Sequence, residues 1–262
     1  MDISGARVLL TGASGGIGHA LAESLAARGA RLILSGRRVE TVEVLANRLC
    51  GTAIAVDLAE ADGPQRLVAA AGRVDILVAN AGLPASGEVT EYSIGEIDRA
   101  LAVNLRAPII LAKLVAEQMI PRNQGQLVFM SSLSGKSAST KTALYNGTKF
   151  GIRGFALGLR EDLRPCGIGV SSIFPGPVRD AGMIADSEVR LPRLGTRTSA
   201  QVARATVNAI ERNRAEVTVA PWGLRAATFM GALAPDTAAR LARLSGSDKV
   251  VAAISEGQRP KR

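Results

Sequence analysis

The chain has 262 residues, enough for one large domain with a full core, and 47% of them are apolar while only 3% are aromatic. That balance suits closely packed helices laid on a sheet better than an aromatic-rich sandwich. Lysine and arginine number 32 against 23 aspartate and glutamate, a formal net charge of +9; the positive residues are scattered and not interleaved with stacking aromatics, which argues against nucleic-acid binding.

Cys50 and Cys166 stand far apart and outside any paired spacing, so neither a disulfide framework nor a metal site is expected. Residues Met1 to Arg7 are polar and acidic where a secretory signal would be basic and then apolar, which points to a cytoplasmic location. The most apolar stretch, Leu101 to Ile120, carries Arg106, Lys113 and Glu117, which a bilayer core tolerates poorly.

The first apolar run, Val8 to Leu10, reads as a strand, and Ile17 to Ala27 has helical spacing. Between them lies Thr11-Gly12-Ala13-Ser14-Gly15-Gly16-Ile17-Gly18. A strand leading through glycines into a helix lets backbone N–H groups and the positive helix end approach a pyrophosphate, so Gly12, Ser14, Gly15, Gly16, Ile17 and Gly18 are candidate dinucleotide ligands. The same residues fit the nucleophile elbow of hydrolases. That alternative fails on histidine: His19, the only one, falls on the opening helical turn, whereas the hydrolase base comes late in the chain. No lysine follows the glycines, so a nucleoside-triphosphate loop is unsupported as well.

The second strand, Leu32 to Leu34, ends in Ser35-Gly36-Arg37-Arg38. An acidic residue here would accept hydrogen bonds from an adenosine ribose; two arginines instead suit a 2′-phosphate, and the expected cofactor is NADP(H) rather than NAD. Arg37, the first of the pair, is the stronger candidate. After a helix at Val39 to Leu49, the strand Ala53 to Val56 runs into Asp57 and Leu58; Asp57 can accept from an adenine amino group or cap a helix. A helix at Leu67 to Ala71 and a strand at Ile76 to Ala79 lead to Asn80-Ala81-Gly82, small residues where a cofactor backbone can pass.

One long helix is expected from Ile94 to Met119, with Asn104 inside it and able to hold a water that links Lys149 to solvent. The strand Leu127 to Met130 is followed by Ser132, and the helix Leu144 to Leu163 opens with Tyr145-Asn146-Gly147-Thr148-Lys149. Tyrosine and lysine four apart share one helix face, so the ammonium can stabilise a phenolate. A free tyrosine titrates near pH 10; Lys149, with an oxidised nicotinamide, should lower Tyr145 into a useful range. Ser132 can hold a substrate oxygen near the phenol.

The strand Val170 to Phe174 is followed by Pro175, Gly176 and Val178, then a polar insertion from Asp180 to Ser199. A lipophilic substrate is expected between Leu83 to Tyr92 and that insertion, where Met183, Ile184, Val189 and Leu191 offer apolar surface, unless these residues pack the insertion onto its own domain. A helix at Gln201 to Arg212 and a strand at Val217 to Ala220 close the pattern. Continuous apolar strands alternating with helices indicate a Rossmann-like, doubly wound parallel α/β sheet of about seven strands. Residues 1–220 are expected to form the nucleotide-binding and catalytic part, and 221–262 a helical extension with a frayed polar tail from Ser255. In Pro221 to Ser245, Trp222, Leu224, Phe229, Met230, Leu233, Leu241 and Leu244 accompany Arg225, Arg240 and Arg243. Packing on its own domain or a second subunit is the expected use, and peripheral attachment to an anionic membrane the alternative.

From about Ala6 to Ala220 these motifs, in this order, resemble the single-domain short-chain dehydrogenase/reductase family. The resemblance rests on Thr11-Gly12 through Gly18, Asn80-Ala81-Gly82, Asn104, Ser132 thirteen residues before Tyr145, Lys149 and Pro175-Gly176. It implies a catalytic tetrad of Asn104, Ser132, Tyr145 and Lys149, with Lys149 also on the nicotinamide ribose and Pro175 to Val178 beside the nicotinamide ring. It further implies a small-molecule carbonyl or alcohol substrate, and a homodimer or homotetramer built on the long helices. His19 and Asp180 depart from the family pattern; Asp180 stands where a threonine usually anchors the carboxamide. A noncatalytic NADP-binding sensor or scaffold, and a lyase or epimerase using nicotinamide transiently, are the competing readings.

Overall fold

A computed structural model of the chain describes residues 1–182, 193–245, 252–253 and 256–258. Seven strands, β1 (Arg7–Thr11), β2 (Arg31–Gly36), β3 (Thr52–Ala55), β4 (Ile76–Ala79), β5 (Gly125–Met130), β6 (Ile168–Pro175) and β7 (Glu216–Val219), form one sheet in the order β3-β2-β1-β4-β5-β6-β7. All six pairings are parallel.

The continuous apolar runs are explained by alternation into two separate cores. Val8 and Leu10 of β1, Leu32 and Leu34 of β2, and Ile76 and Val78 of β4 point into one; Leu9, Ile33 and Leu77 point into the other. The first core is closed by α1 (Gly16–Ala26), α2 (Val39–Arg48) and α7 (Ser199–Glu211), the second by α3 (Gly63–Ala71), α5 (Ala107–Met119) and α6 (Ala143–Leu163). A strand covered on both faces has no polar side to show, so period-two patterning is lost. The chain crosses the sheet between β3 and β4, which leaves a crevice at the carboxyl ends of β1 and β4, where such sheets bind ligands.

The long helix expected from Ile94 to Met119 is interrupted. It consists of α4 (Ile94–Leu101), a π-helical turn over Ala102–Arg106 and α5, and the Ala107 N–H donates to the Ala102 carbonyl five residues back. Pro108 is the physical reason: it has no N–H for the Asn104 carbonyl, and in a regular helix its ring would collide with that carbonyl. Ser93 starts α4 with a capping box closed by Glu96, which satisfies two donors at the helix entrance.

Of the Asp180 to Ser199 insertion, Val178 pairs with Arg197 as an isolated parallel bridge. The Asp180 carboxylate accepts from the Ser199 backbone N–H at 2.8 Å and from its hydroxyl at 3.1 Å. It therefore serves the start of α7, favourable for an anion at a positive helix end. Met183, Ile184, Val189 and Leu191 lie outside the described residues, as does the polar tail apart from Glu256–Gln258. The extension forms α8 (Trp222–Leu233) and α9 (Pro235–Ser245), which pack on each other.

Candidate active site

The glycine turn is built by interlocking two strand ends. Gly12 has a φ of +68°, and a Cβ there would lie 2.8 Å from the Ala81 backbone; no larger residue adopts this turn against this neighbour without strain. The Thr11 hydroxyl accepts from the Asn80 and Ala81 N–H groups, each at 3.1 Å, and the Asn80 amide donates back to the Thr11 and Gly12 carbonyls. A Cβ on Gly18 would collide with the Gly12 carbonyl, so the bare α1 start folds tightly onto its own turn. Gly16 makes room for a different group, Ala181, whose Cβ would stand 2.7 Å from a Gly16 Cβ.

These residues wall a cavity of about 270 Å³. Gly12, Ser14, Gly15, Gly16, Ile17, Gly18, Arg37, Arg38, Asp57, Leu58, Asn80, Ala81 and Gly82 all line it. At its centre a side-chain-free turn at the N-terminus of α1 offers N–H groups and a positive dipole end to an anion. A dinucleotide fits this chemistry, with diphosphate at the glycines and arginines farther out. Arg38 caps the far side by donating to the Ser14 carbonyl at 3.2 Å, while Arg37 also lines a second, adjoining hollow with Asp57 and Arg66.

Asp57 accepts from the Ala59 N–H at 2.9 Å and from the Arg99 guanidinium at 2.9 Å. Burial works to raise its carboxyl, but the Ala59 hydrogen bond, the bonded Arg99 and the Arg37 charge outweigh it and hold it below the ordinary value. It remains an anion able to accept from a further donor.

The second half of the site forms where the loop after β5 meets α6. Tyr145 lies in the first turn of α6, where its N–H has no helical partner, and the Ala85 carbonyl accepts it at 3.1 Å. Four residues on, Lys149 is buried, donates to the Met130 carbonyl at 3.0 Å, and holds its ammonium 5.5 Å from the centre of the Tyr145 ring. Ser131 donates to the Lys149 carbonyl at 3.2 Å, which fixes the loop so that Ser132 hydrogen-bonds the Tyr145 phenol. Ser132 also accepts from the Ser134 N–H at 3.2 Å.

The protonation energies differ from the expectation of an acidified phenol. Burial raises the Tyr145 phenol above its ordinary value, and the Ser132 hydrogen bond offsets only part of this. Burial also lowers Lys149, to about 8. Among the protein's own groups, desolvation therefore outweighs the lysine's attraction for a phenolate.

Asn104 is buried in the π-helical turn, and both ends of its amide bond the Leu83 backbone: Oδ1 accepts from the N–H at 2.7 Å and Nδ2 donates to the carbonyl at 3.0 Å. The side chain thus clamps the loop after β4, a use the sequence did not suggest for it. Gly82 joins the two halves, since a Cβ there would lie 3.4 Å from Asn104 Oδ1 and 3.7 Å from Lys149 Nζ. Pro175, Gly176 and Val178 are not on the cavity wall; Pro175 and Val178 are buried, and the Gly176 N–H donates to the Val219 carbonyl at 3.0 Å.

Sequence reasoning missed Ser35, Gly36, Val56 and Val103 on the cavity wall, and Arg99 as the partner of Asp57. All four lie next to or one residue removed from residues it did select, while Leu83 and Gly182, also on the wall, belong to the two stretches expected to bound the substrate. Among the described residues no group of three or more His, Cys, Asp and Glu gathers as a metal site.

Comparison with known proteins agrees with this architecture. The chain is 33% identical over 227 residues to the ketoacyl reductase HetN of Nostoc sp., a match covering 83% of this chain and 79% of that one. Among solved structures, a short-chain dehydrogenase from Sphingobium yanoikuyae in complex with NADPH superposes with a TM-score of 0.76 at 26% identity, covering 94% of each chain. A bulky-bulky ketone specific alcohol dehydrogenase from Comamonas testosteroni gives 0.73 at 28% identity, covering 81% of this chain and 85% of that one. Residues 6–190 match the short chain dehydrogenase family model, and the chain is an oxidoreductase belonging to that family.

Proposed function

We propose that this protein is an NADP(H)-dependent carbonyl reductase or alcohol dehydrogenase, with Tyr145 as the proton donor and acceptor for a small, lipophilic carbonyl or secondary alcohol. One observation carries the reading: a phenol bonded to Ser132 stands one helical turn from a buried ammonium, and a Cβ on Gly82, a wall residue of the glycine-lined cavity, would lie 3.7 Å from that ammonium. The ketoacyl reductase and ketone-specific relatives support the carbonyl class, and the NADPH-bound Sphingobium neighbour supports the cofactor.

Gly12, Ser14, Gly15, Gly16, Ile17 and Gly18 hold the diphosphate, Arg37 and Arg38 the 2′-phosphate, Asp57 and Leu58 the adenine, and Asn80, Ala81 and Gly82 the adjoining ribose. Pro175, Gly176 and Val178 back the nicotinamide side. When bound, the nicotinamide supplies or accepts the hydride. Ser132 donates a hydrogen bond to the substrate oxygen and fixes it beside Tyr145. The raised phenol stays protonated at neutral pH, which suits it to protonate that oxygen during reduction. In the reverse direction, Lys149 and the positive end of α6 stabilise the phenolate that must form. Lys149 also binds the nicotinamide ribose, and Asn104 holds the Leu83 loop that shapes the site.

Tyr145→Phe keeps the ring and removes the exchangeable proton. Turnover of ketones should fall by about 10²–10⁴-fold while NADPH binding, followed by coenzyme fluorescence, is unchanged; substantial retained turnover rejects the reading. Phe150 and Leu157, seven apart on α6 and both exposed, support association of two or four copies through this helix, which light scattering would report.

A further inference from the structure

The helical hairpin α8–α9 shows an apolar stripe that the other described residues do not cover. Trp222, Ala226, Phe229 and Leu233 recur at spacings of four, three and four, so they share one face of α8. Their large members are 80%, 69% and 71% exposed for Trp222, Phe229 and Leu233. The opposite face is the one that docks: Leu224 is half-buried, Thr228 is buried, and a Cβ on Gly231 would strike the Ser137 side chain. The exposed stripe is therefore directed away from the domain, and Met230, Leu241 and Leu244 add further exposed apolar surface to the hairpin.

Charge selects the occupant. Residues 221–245 hold Arg225, Arg240 and Arg243 against Asp236 alone, within a chain of net charge +9, and all three arginines are exposed. A second copy would bring like charges together around this stripe, whereas an anionic lipid surface would attract them. Exposed Trp, Phe and Leu with arginines around them is the composition of a helix that lies in the headgroup region. No helix among the described residues is long and apolar enough to cross a membrane, so the contact is with the surface. We propose that α8–α9 is a peripheral membrane-binding element that seats Trp222, Phe229 and Leu233 in an anionic bilayer interface. Because α8 rests on Ser137, five residues beyond Ser132, the seated hairpin would hold the reactive hydroxyls near the lipid surface.

Trp222 is the only tryptophan, so the full-length protein reports on itself. Vesicles of phosphatidylcholine alone and vesicles with about one third phosphatidylglycerol are titrated while tryptophan emission and co-sedimentation are followed. The expected result is a blue shift and sedimentation with the anionic vesicles, weakened by salt. Phe229→Ser and Leu233→Ser should each weaken binding by about tenfold or more, and Arg240→Glu should weaken it without altering ketone turnover in solution. Protein left in the supernatant with both vesicles at low salt overturns the proposal. So does a Phe229→Ser variant that changes the oligomeric state in light scattering but not vesicle binding, a result that assigns the stripe to a second copy.

Discussion

Replacement of Lys149 by methionine separates the cost of the buried ammonium from its use. The side chain is 5% exposed and donates to the Met130 carbonyl, and burial lowers its pKa from 10.5 to about 8. That gap corresponds to about 3 kcal/mol against the folded state whenever the group is charged in both states. Below pH 8 the full cost applies. Between 8 and 10.5 the unfolded chain binds more protons than the folded one, so stability rises with pH across this window and the cost is gone above it. Lys149→Met removes the charge at the expense of the Met130 carbonyl, an unsatisfied acceptor worth about 1–3 kcal/mol. The variant should therefore be as stable as the wild type, or up to about 2 kcal/mol more stable, at neutral pH. It should lose this relative advantage as both proteins are taken to about pH 10. Urea denaturation followed by circular dichroism measures both numbers, and ketone turnover should fall by about 10²–10⁴-fold. A variant several kcal/mol less stable than wild type at neutral pH, by an amount independent of pH, would refute the desolvation argument and make the hydrogen bond to the Met130 carbonyl a net stabilising contact.

Arg37→Glu should reverse coenzyme preference: NADPH affinity falls by about ten- to a hundredfold, and titration with NADH shows little loss; equal losses for both coenzymes would remove Arg37 from the 2′-phosphate. Gly18→Ala places a Cβ against the Gly12 carbonyl. It should cost about 1–3 kcal/mol in thermal unfolding and weaken NADPH and NADH alike, and an unperturbed variant would mean that the turn is looser than its contacts indicate.

The parallel sheet and the two-halved site could be read from the chain because their causes are local. Leu9 and Leu10 can go to opposite cores only if both faces of β1 are covered, and that requirement is written in consecutive apolar residues. The glycine turn and the Tyr145–Lys149 spacing are likewise short-range patterns. What escaped depends on distant partners. The interruption of the long helix had a local sign in Pro108, four residues after Asn104, but the use of the Asn104 amide to grip Leu83 had none. Asp180 departs from the family pattern in sequence, and only the approach of Ser199 assigns its carboxylate to the start of α7. The Tyr145 expectation joined Lys149 to an oxidised nicotinamide; attraction to Lys149 follows from helical spacing, while the desolvation that raises the phenol among the protein's own groups comes from tertiary burial that spacing does not report.

The central claim is that the phenol of Tyr145 and the cavity beside it serve one hydride transfer. Incubating the protein with a ketone and NADPH deuterated at the transferring carbon, then reading the product alcohol by mass spectrometry, tests it most directly. The account predicts a single deuterium on the carbinol carbon with wild type and almost none with Tyr145→Phe at equal coenzyme occupancy; unlabelled alcohol from the wild type, or full labelling by the variant, would contradict it.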